Sequence, residues 1–320
     1  MSEYYGTVAG IARARGLAYY AEALEDHRPQ LGDDLAMRAQ ADVPMGAMWV
    51  FDPGSGTPGP TYVADLRGAS SVAHVYGKPW TGAESMSAFH RPWSYTPQRL
   101  KHVADLELAP GVTRFCIHTS PHQPAGTPPP GIGLAPFLGQ VFVRTEPWAR
   151  FAAPWVDYLA RCSYVLNQGR PAVDVAVFPG EEAPLTALYG DRADRSVPAG
   201  FGFDYVGLDG LEECVTVEDG VIVACGARYR VLYLGGSSHR MTLRALGRVR
   251  ALLDQGATVI GSRPACSPSL ADDPAEHARA VRDLWEAGEP SGWPGLGRLI
   301  GTADLAHALS GPVVLRAYAP

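Results

Sequence analysis

Four short apolar runs, separated by stretches of helical spacing, constrain this chain more than any other feature. GLAYYAEAL (16–24), VPMGAMWVF (43–51), PWTGAES (79–85) and VTRFCIHTS (112–120) have strand length and end in polar or turn residues. The first is expected to be a buried strand opening into a polar loop. Between them, residues 3–15, GDDLAMRAQA (32–41), YVADLRGASSVAHVYG (62–77) and PQRLKHVADLELAPG (97–111) suit helices. Pro110-Gly111 stops the last of these. Four βα units within the first 120 residues predict a parallel α/β arrangement. A closed (β/α)8 barrel needs about eight strands and about 250 residues, so these units make about half of one. Chemistry in such barrels sits at the C-terminal ends of strands, where these runs place Glu, Trp, Glu and His.

After residue 168 the pattern changes. PWVDYLARCSYVLNQ (154–168) suits a helix, with Gly169 as its C′ glycine. PAVDVAVFPG (171–180) is a near-continuous apolar strand. FGFDYVGLDGLEECVTVEDGVIVACGARYRVLYLGG (201–236) reads as a short helix, a hairpin and the strand YRVLYLGG. MTLRALGRVRALLDQG (241–256) places Leu243, Leu246, Val249 and Leu253 on one face, capped by Gly256, and ATVIGSRP (257–264) is another buried strand. The expectation is a partial TIM-type barrel over 1–168, then a doubly wound, flavodoxin-like or Rossmann-like domain over 169–320.

Composition excludes several classes. A hydrophobic content of 46% supports a sizeable core, and a net charge of −6 without Lys/Arg blocks argues against nucleic acid. No run approaches the roughly 20 apolar residues of a membrane span. MSEYYGTVAGIARARG has no signal-peptide core, so the chain as encoded is expected in the cytoplasm, or secreted if the true N-terminus lies upstream. Five scattered cysteines without a C-x-x-C pair read as free thiols, with Cys214–Cys225 the one disulfide to consider. The Pro/Gly stretches 52–60 and 123–133 read as long loops on a rigid scaffold.

Glu84, in GAES, is a carboxylate at a strand end between residues too small to cover it. Such a group can serve as nucleophile or general base in glycosidic hydrolysis, and otherwise it is a solvated loop glutamate. Glu22, in YYAEALEDH beside Glu25 and Asp26, is the second acid, unless that segment is helical and Glu22 merely superficial. His118 and His122, in CIHTSPHQP, close the fourth strand. Pro121 makes theirs a loop without a third ligand, so sugar contact is favoured over metal. Tyr20, Trp49 and Trp93 are candidates to stack on a sugar, and Trp80, Trp148 and Trp155 are also aromatic in this half; core packing is the alternative for each. Asp42, Asp52 and Asp65 are polar without distinction. No dinucleotide fingerprint, P-loop or nucleophile elbow occurs, the LGGSSHR loop (234–240) lacks an anion site's lysine and helix entry, and Cys225 in ACGARY is not in an elbow.

Taken in order, AHVYGKPWTGAES, GVTRFCIHTSPHQP, YLARCSYVLNQGRPAVDVAVFPGEE, YRVLYLGGSSHRMT and ATVIGSRPACSPSL resemble glycoside hydrolase family 106. Those enzymes are α-L-rhamnosidases, more distantly similar to β-galactosidase-type barrels. The resemblance implies a (β/α)8 barrel with two carboxylates, an inverting mechanism, often a nearby calcium ion, and a following amidotransferase-like α/β domain. It implies Glu84 as general base, Glu22 as the leaving-group acid, and His118 and His122 near the sugar. Ala47 and Met48 stand where that family often has a glutamate, so a carboxylate or calcium ligand is missing here. An isolated half-barrel exposes sheet edges and an apolar interior. It needs a second copy, a partner chain or an upstream portion. The alternative reading is a catalytically inactive fragment that binds a sugar or a protein, and an amidotransferase comes third.

Overall fold

The computed structural model describes residues 2–23, 32–51, 62–89, 93–182, 184–185, 196–286 and 297–310. The loop expected at 52–60, with Asp52, and the acids Glu25 and Asp26 lie outside them. The architecture is mixed α/β with parallel sheets. In the first half the strands β1 (Tyr20–Glu22), β2 (Val43–Met48), β3 (Gly82–Ser85) and β4 (Arg114–Ile117) form one parallel sheet in chain order. The helices α1 (Thr7–Arg13), α2 (Asp34–Ala39), α3 (Tyr62–Tyr76), α4 (Pro97–Leu108) and α5 (Ala153–Leu166) precede, link and follow them.

Local chemistry explains these elements and several departures from the expectations. Asp33 caps α2 by accepting from Ala36 N (3.0 Å), and Pro97 opens α4, where a missing N–H costs nothing. Residues 2–6 are π-helical rather than part of one α-helix. GLAYYAEAL is not a buried strand: only three residues pair, and Tyr20 is 66% exposed. The reason is that β1 is an edge strand, paired only with β2 among the described residues. α5 closes at Asn167 in right-handed backbone, and Gly169 does not take the left-handed conformation of a C′ glycine.

The second half holds a five-stranded parallel sheet of β5 (Val175–Phe178), β6 (Phe203–Tyr205), β10 (Val231–Leu234), β11 (Thr258–Ile260) and β12 (Arg298–Ile300). Across the sheet they lie second, first, third, fourth and fifth in chain order. A separate antiparallel meander contains β7 (Thr216–Glu218), β8 (Val221–Val223) and β9 (Arg228–Tyr229). Asp219 and Gly220, both at positive φ, supply the two-residue turn between β7 and β8. α6 (Leu208–Glu213), α7 (Leu243–Asp254), α8 (Pro274–Trp285) and α9 (Leu305–Ser310) complete this half. Gly256 ends α7 at φ +106°, as its sequence predicts. All five cysteines are free. Burial pushes the Cys214 thiol up to about 12, with Cys225 beside it. The LGGSSHR loop packs on its own chain: Ser237 N donates to Pro179 O (2.8 Å), and Arg240 pairs with Glu182 (2.6 Å). Among the described residues no helix is long and apolar enough to cross a membrane.

α3 belongs to both halves, packing against β2 on one side and β6 on the other. Its polar contacts with β6 are specific. Ser71 Oγ accepts from Tyr205 N (2.9 Å), and the buried Asp204 takes hydrogen bonds from His74 Nδ1 (2.9 Å) and Tyr229 Oη (3.0 Å). At Gly46 of β2 the sheet meets α3 so closely that a Cβ would stand 3.0 Å from the Asp65 carbonyl carbon and Leu66 N. Glycine there is a packing requirement.

Behind β3, Glu107 of α4 is fully buried, and the Ser85 hydroxyl beside it offsets that burial only in part. Burial raises this carboxyl well above the usual range. A carboxyl raised on folding holds more protons in the native than in the unfolded state. Stability therefore falls as pH rises through that window, by about 1.4 kcal/mol per pH unit. Asp34, pushed up to about 6 by burial, adds a slope of the same sign that ends near pH 6. Glu107→Gln is expected in urea unfolding to lower the slope from about pH 4.3, the unfolded value, upward and to leave the Asp34 part, which ends near pH 6. An unchanged upper slope would contradict a neutral Glu107.

Candidate active site

Two ladders hold Glu84. Its register partners are Ala47 on β2 and Cys116 on β4. The pairing continues past the strand ends, through Met86 N to Met48 O (3.1 Å), Val50 N to Ser87 O (2.7 Å) and His118 N to Ser85 O (2.9 Å). Alternation along β3 sends Gly82 and Glu84 to one face and Ser85 to the α4 face.

At the C-terminal end of this sheet Glu84, Ser87 and His118 converge. Glu84 Oε1 accepts from Ser87 Oγ at 2.5 Å, and Ser87 Oγ lies 2.8 Å from His118 Nδ1. His118 Nδ1 is 3.7 Å from Glu84 Oε1, and the two side chains keep 24% and 27% exposure, so the cluster is open to a ligand. Ser87 is buried (1% exposed). Met86 makes the turn between them at φ +71° while its side chain fills a core with Leu100, Ala104 and Trp155. A left-handed non-glycine residue costs of order 1–3 kcal/mol and persists only where its surroundings hold it. Ser87 is the residue that sequence reasoning missed. A hydroxyl three places after the glutamate was visible, but nothing in a methionine announces positive φ.

The other candidates fall into three groups. Glu22 shares the Glu84 side of the sheet: burial raises the Cys116 thiol, and both Glu22 and Glu84 raise it further. Glu22 pairs in register with Met45, and Met45 with Gly82. It therefore sits two strands aside and one pleat repeat below Glu84, about 10 Å across and about 7 Å along. Trp49 stacks obliquely on Phe89 (centroids 4.5 Å), which approaches Phe137 (6.1 Å), forming an aromatic wall next to Ser87.

A second group lies apart from this cluster. Tyr20, opposite Val43, is four residues below the Ala47–Glu84 row. Trp93 stands 37% exposed at φ +64°, outside the contacts described for Glu84. His122 is exposed and bridges Ile132, closing the Pro-rich loop. It lines a cavity of about 800 Å³ with Ile117, Phe142, Arg144, Glu146 and Trp148, beside the end of β4.

The third group is structural. Asp42 accepts from Arg13 Nε and Tyr19 N (both 2.8 Å), and Asp65 is buried against Arg38. Trp155 belongs to the core under Met86, Trp148 Nε1 donates to Tyr95 O (3.0 Å), and Trp80 carries the Arg114 guanidinium on its ring.

Among the described residues no three His, Cys, Asp or Glu side chains are grouped to hold a metal. Ala47, directly beside Glu84, offers no side-chain oxygen. What the arrangement can do is hold one carboxylate oxygen in a fixed hydrogen bond while its partner oxygen and an imidazole edge remain open to a hydroxyl or water.

The sequence profile of glycoside hydrolase family 106, described as α-L-rhamnosidase, matches residues 1–318. A solved rhamnosidase from Novosphingobium sp. PP1Y superposes with a TM-score of 0.90 at 46% identity, covering 100% of this chain and 30% of that one. A curated protein of Formosa agariphila, provisionally named a β-glucuronidase, is 32% identical over 290 residues, which is 89% of this chain and 23% of its own length. The chain thus spans less than a third of either relative.

Proposed function

The chain belongs to glycoside hydrolase family 106, the α-L-rhamnosidases, and on that premise we propose that it supplies the Glu84 side of a site hydrolysing a terminal sugar. The observation that carries this reading is the open Glu84–Ser87–His118 cluster at the C-terminal ends of parallel strands. In the proposed reaction Glu84 takes a proton from a water as that water attacks the anomeric carbon. Glu22 gives its proton to the departing oxygen, in a two-carboxylate inverting scheme. Such a scheme needs the carboxyls about 6.5–9.5 Å apart, which asks the Glu22 side chain to reach upward by about one pleat repeat from its row. Trp49 and His122 line the approach for the sugar.

The four-stranded sheet is, in this proposal, one arc of a TIM-type barrel over residues 1–168. Its two open edges and the 41% exposed Ile117 on β4 support completion by an upstream segment or another copy. Residues 169–320 form an amidotransferase-like, doubly wound domain, a reading supported by the second-first-third-fourth-fifth strand order. A non-catalytic, sugar-binding role is the second reading, favoured by Ala47 in register with Glu84.

The test is a substrate comparison with purified protein. Release of chromophore from an aryl α-L-rhamnoside, exceeding that from the matching aryl β-D-glucuronide, is the expected result. Preference for the glucuronide would reassign the sugar. No release from either, with rhamnose binding retained in calorimetry, would select the non-catalytic role.

A further inference from the structure

We propose that Ser87 is a positioning residue that fixes the proton of His118 on Nδ1 and so determines which ring nitrogen faces the sugar. The inference deepens the reading of the Glu84 site and rests on it for its catalytic meaning, though its test does not. A serine hydroxyl has one hydrogen to give. Carboxylate oxygens only accept, so at 2.5 Å that hydrogen is directed to Glu84 Oε1. The oxygen then presents lone pairs to His118 Nδ1 at 2.8 Å, and a stable contact requires Nδ1 to carry a hydrogen. The hydrogen bonds run one way, from His118 through Ser87 to Glu84.

Neutral His118 is thereby the Nδ1–H tautomer, with Nε2 free as an acceptor for a ligand hydroxyl. The same direction keeps His118 from donating to Glu84 itself, which stands 3.7 Å away. The fold invests in this arrangement. Ser87 is 1% exposed, its carbonyl is pinned by Val50 N (2.7 Å), and the left-handed Met86 turns it back beneath the glutamate. An extended residue at 86 would carry the hydroxyl along the strand and away from both partners.

The experiment is two-bond ¹H–¹⁵N correlation spectroscopy of the full chain labelled at histidine nitrogens, with the His118 signals identified by their loss in His118→Gln. Neutral His118 in the wild type is expected in the Nδ1–H pattern, opposite to the Nε2–H form that imidazole side chains favour in water. Ser87→Ala is expected to move it to Nε2–H or to exchange between the two, while Ser87→Thr, which keeps the hydroxyl, restores the wild-type pattern. An Nε2–H pattern in the wild type overturns the proposal, as does an Nδ1–H pattern that survives in a folded Ser87→Ala. Because an Nε2–H pattern in the wild type is by itself enough to overturn the proposal, a variant that fails to fold does not remove the test. Failure of sugar hydrolysis would leave this readout untouched, so the two readings fail separately.

Discussion

Arg38→Ala is expected to lower the free energy of unfolding by about 3–5 kcal/mol, the range for removing one partner of a buried ion pair. Arg38 is fully buried on α2. Its Nη1 donates to Met45 O (3.1 Å) and Asp65 O (2.6 Å), and Nη2 pairs with the Asp65 carboxylate. The other Asp65 oxygen accepts from Ala47 N (2.7 Å), so one guanidinium ties α2 and α3 to the strand beside Glu84. Alanine leaves the Asp65 carboxylate buried without its counter-charge and three acceptors without donors. The loss would appear as a lower urea midpoint at unchanged slope. Arg38→Met combined with Asp65→Asn, which removes both charges, is expected to cost less than Arg38→Ala alone. A loss below about 1 kcal/mol for Arg38→Ala would mean that water or another group reaches Asp65.

The same cluster marks where sequence reasoning ran out. Arg38 and Asp65 each sit among helix-compatible residues, and nothing local says that both point inward. Their pairing depends on the close approach of α3 at Gly46, a tertiary fact. The alternating apolar and helical segments placed β2, β3, β4 and their helices well, because long periodic segments and strand-length apolar runs are the clearest signals. β6 is not legible within 201–236: FDY is three residues long, and its strand character comes from burial beside β5. α8 has a legible start, Asp273-Pro274 with Glu276, where Asp273 accepts from Glu276 N (2.7 Å). Within the proposed site, Glu84 and His118 are legible as strand-end residues. Ser87 is not, because its position depends on the backbone of Met86, and the register of β1, a three-residue edge strand, cannot be read from its residues.

The largest effect expected at the site is from Glu84→Gln. Glutamine preserves the side-chain shape, and its carbonyl oxygen can still accept from Ser87, so the fold and the His118 geometry should persist. On the proposed mechanism, what disappears is the ability to take a proton from water at the moment of attack. General-base catalysis contributes about 10²–10⁴-fold, so kcat on the aryl α-L-rhamnoside should fall by that factor while KM changes little. Glu107→Gln is the matched control: the same change one strand layer away, on the α4 side of β3, with kcat retained because that carboxyl is enclosed in the core. Equal rates for wild type and Glu84→Gln would remove Glu84 from the chemistry. Parallel losses in both variants would point to damage of β3 itself. A fall confined to Glu84→Gln, with His118 still in its wild-type tautomer, would separate the proton acceptor from the hydrogen-bond chain that orients it.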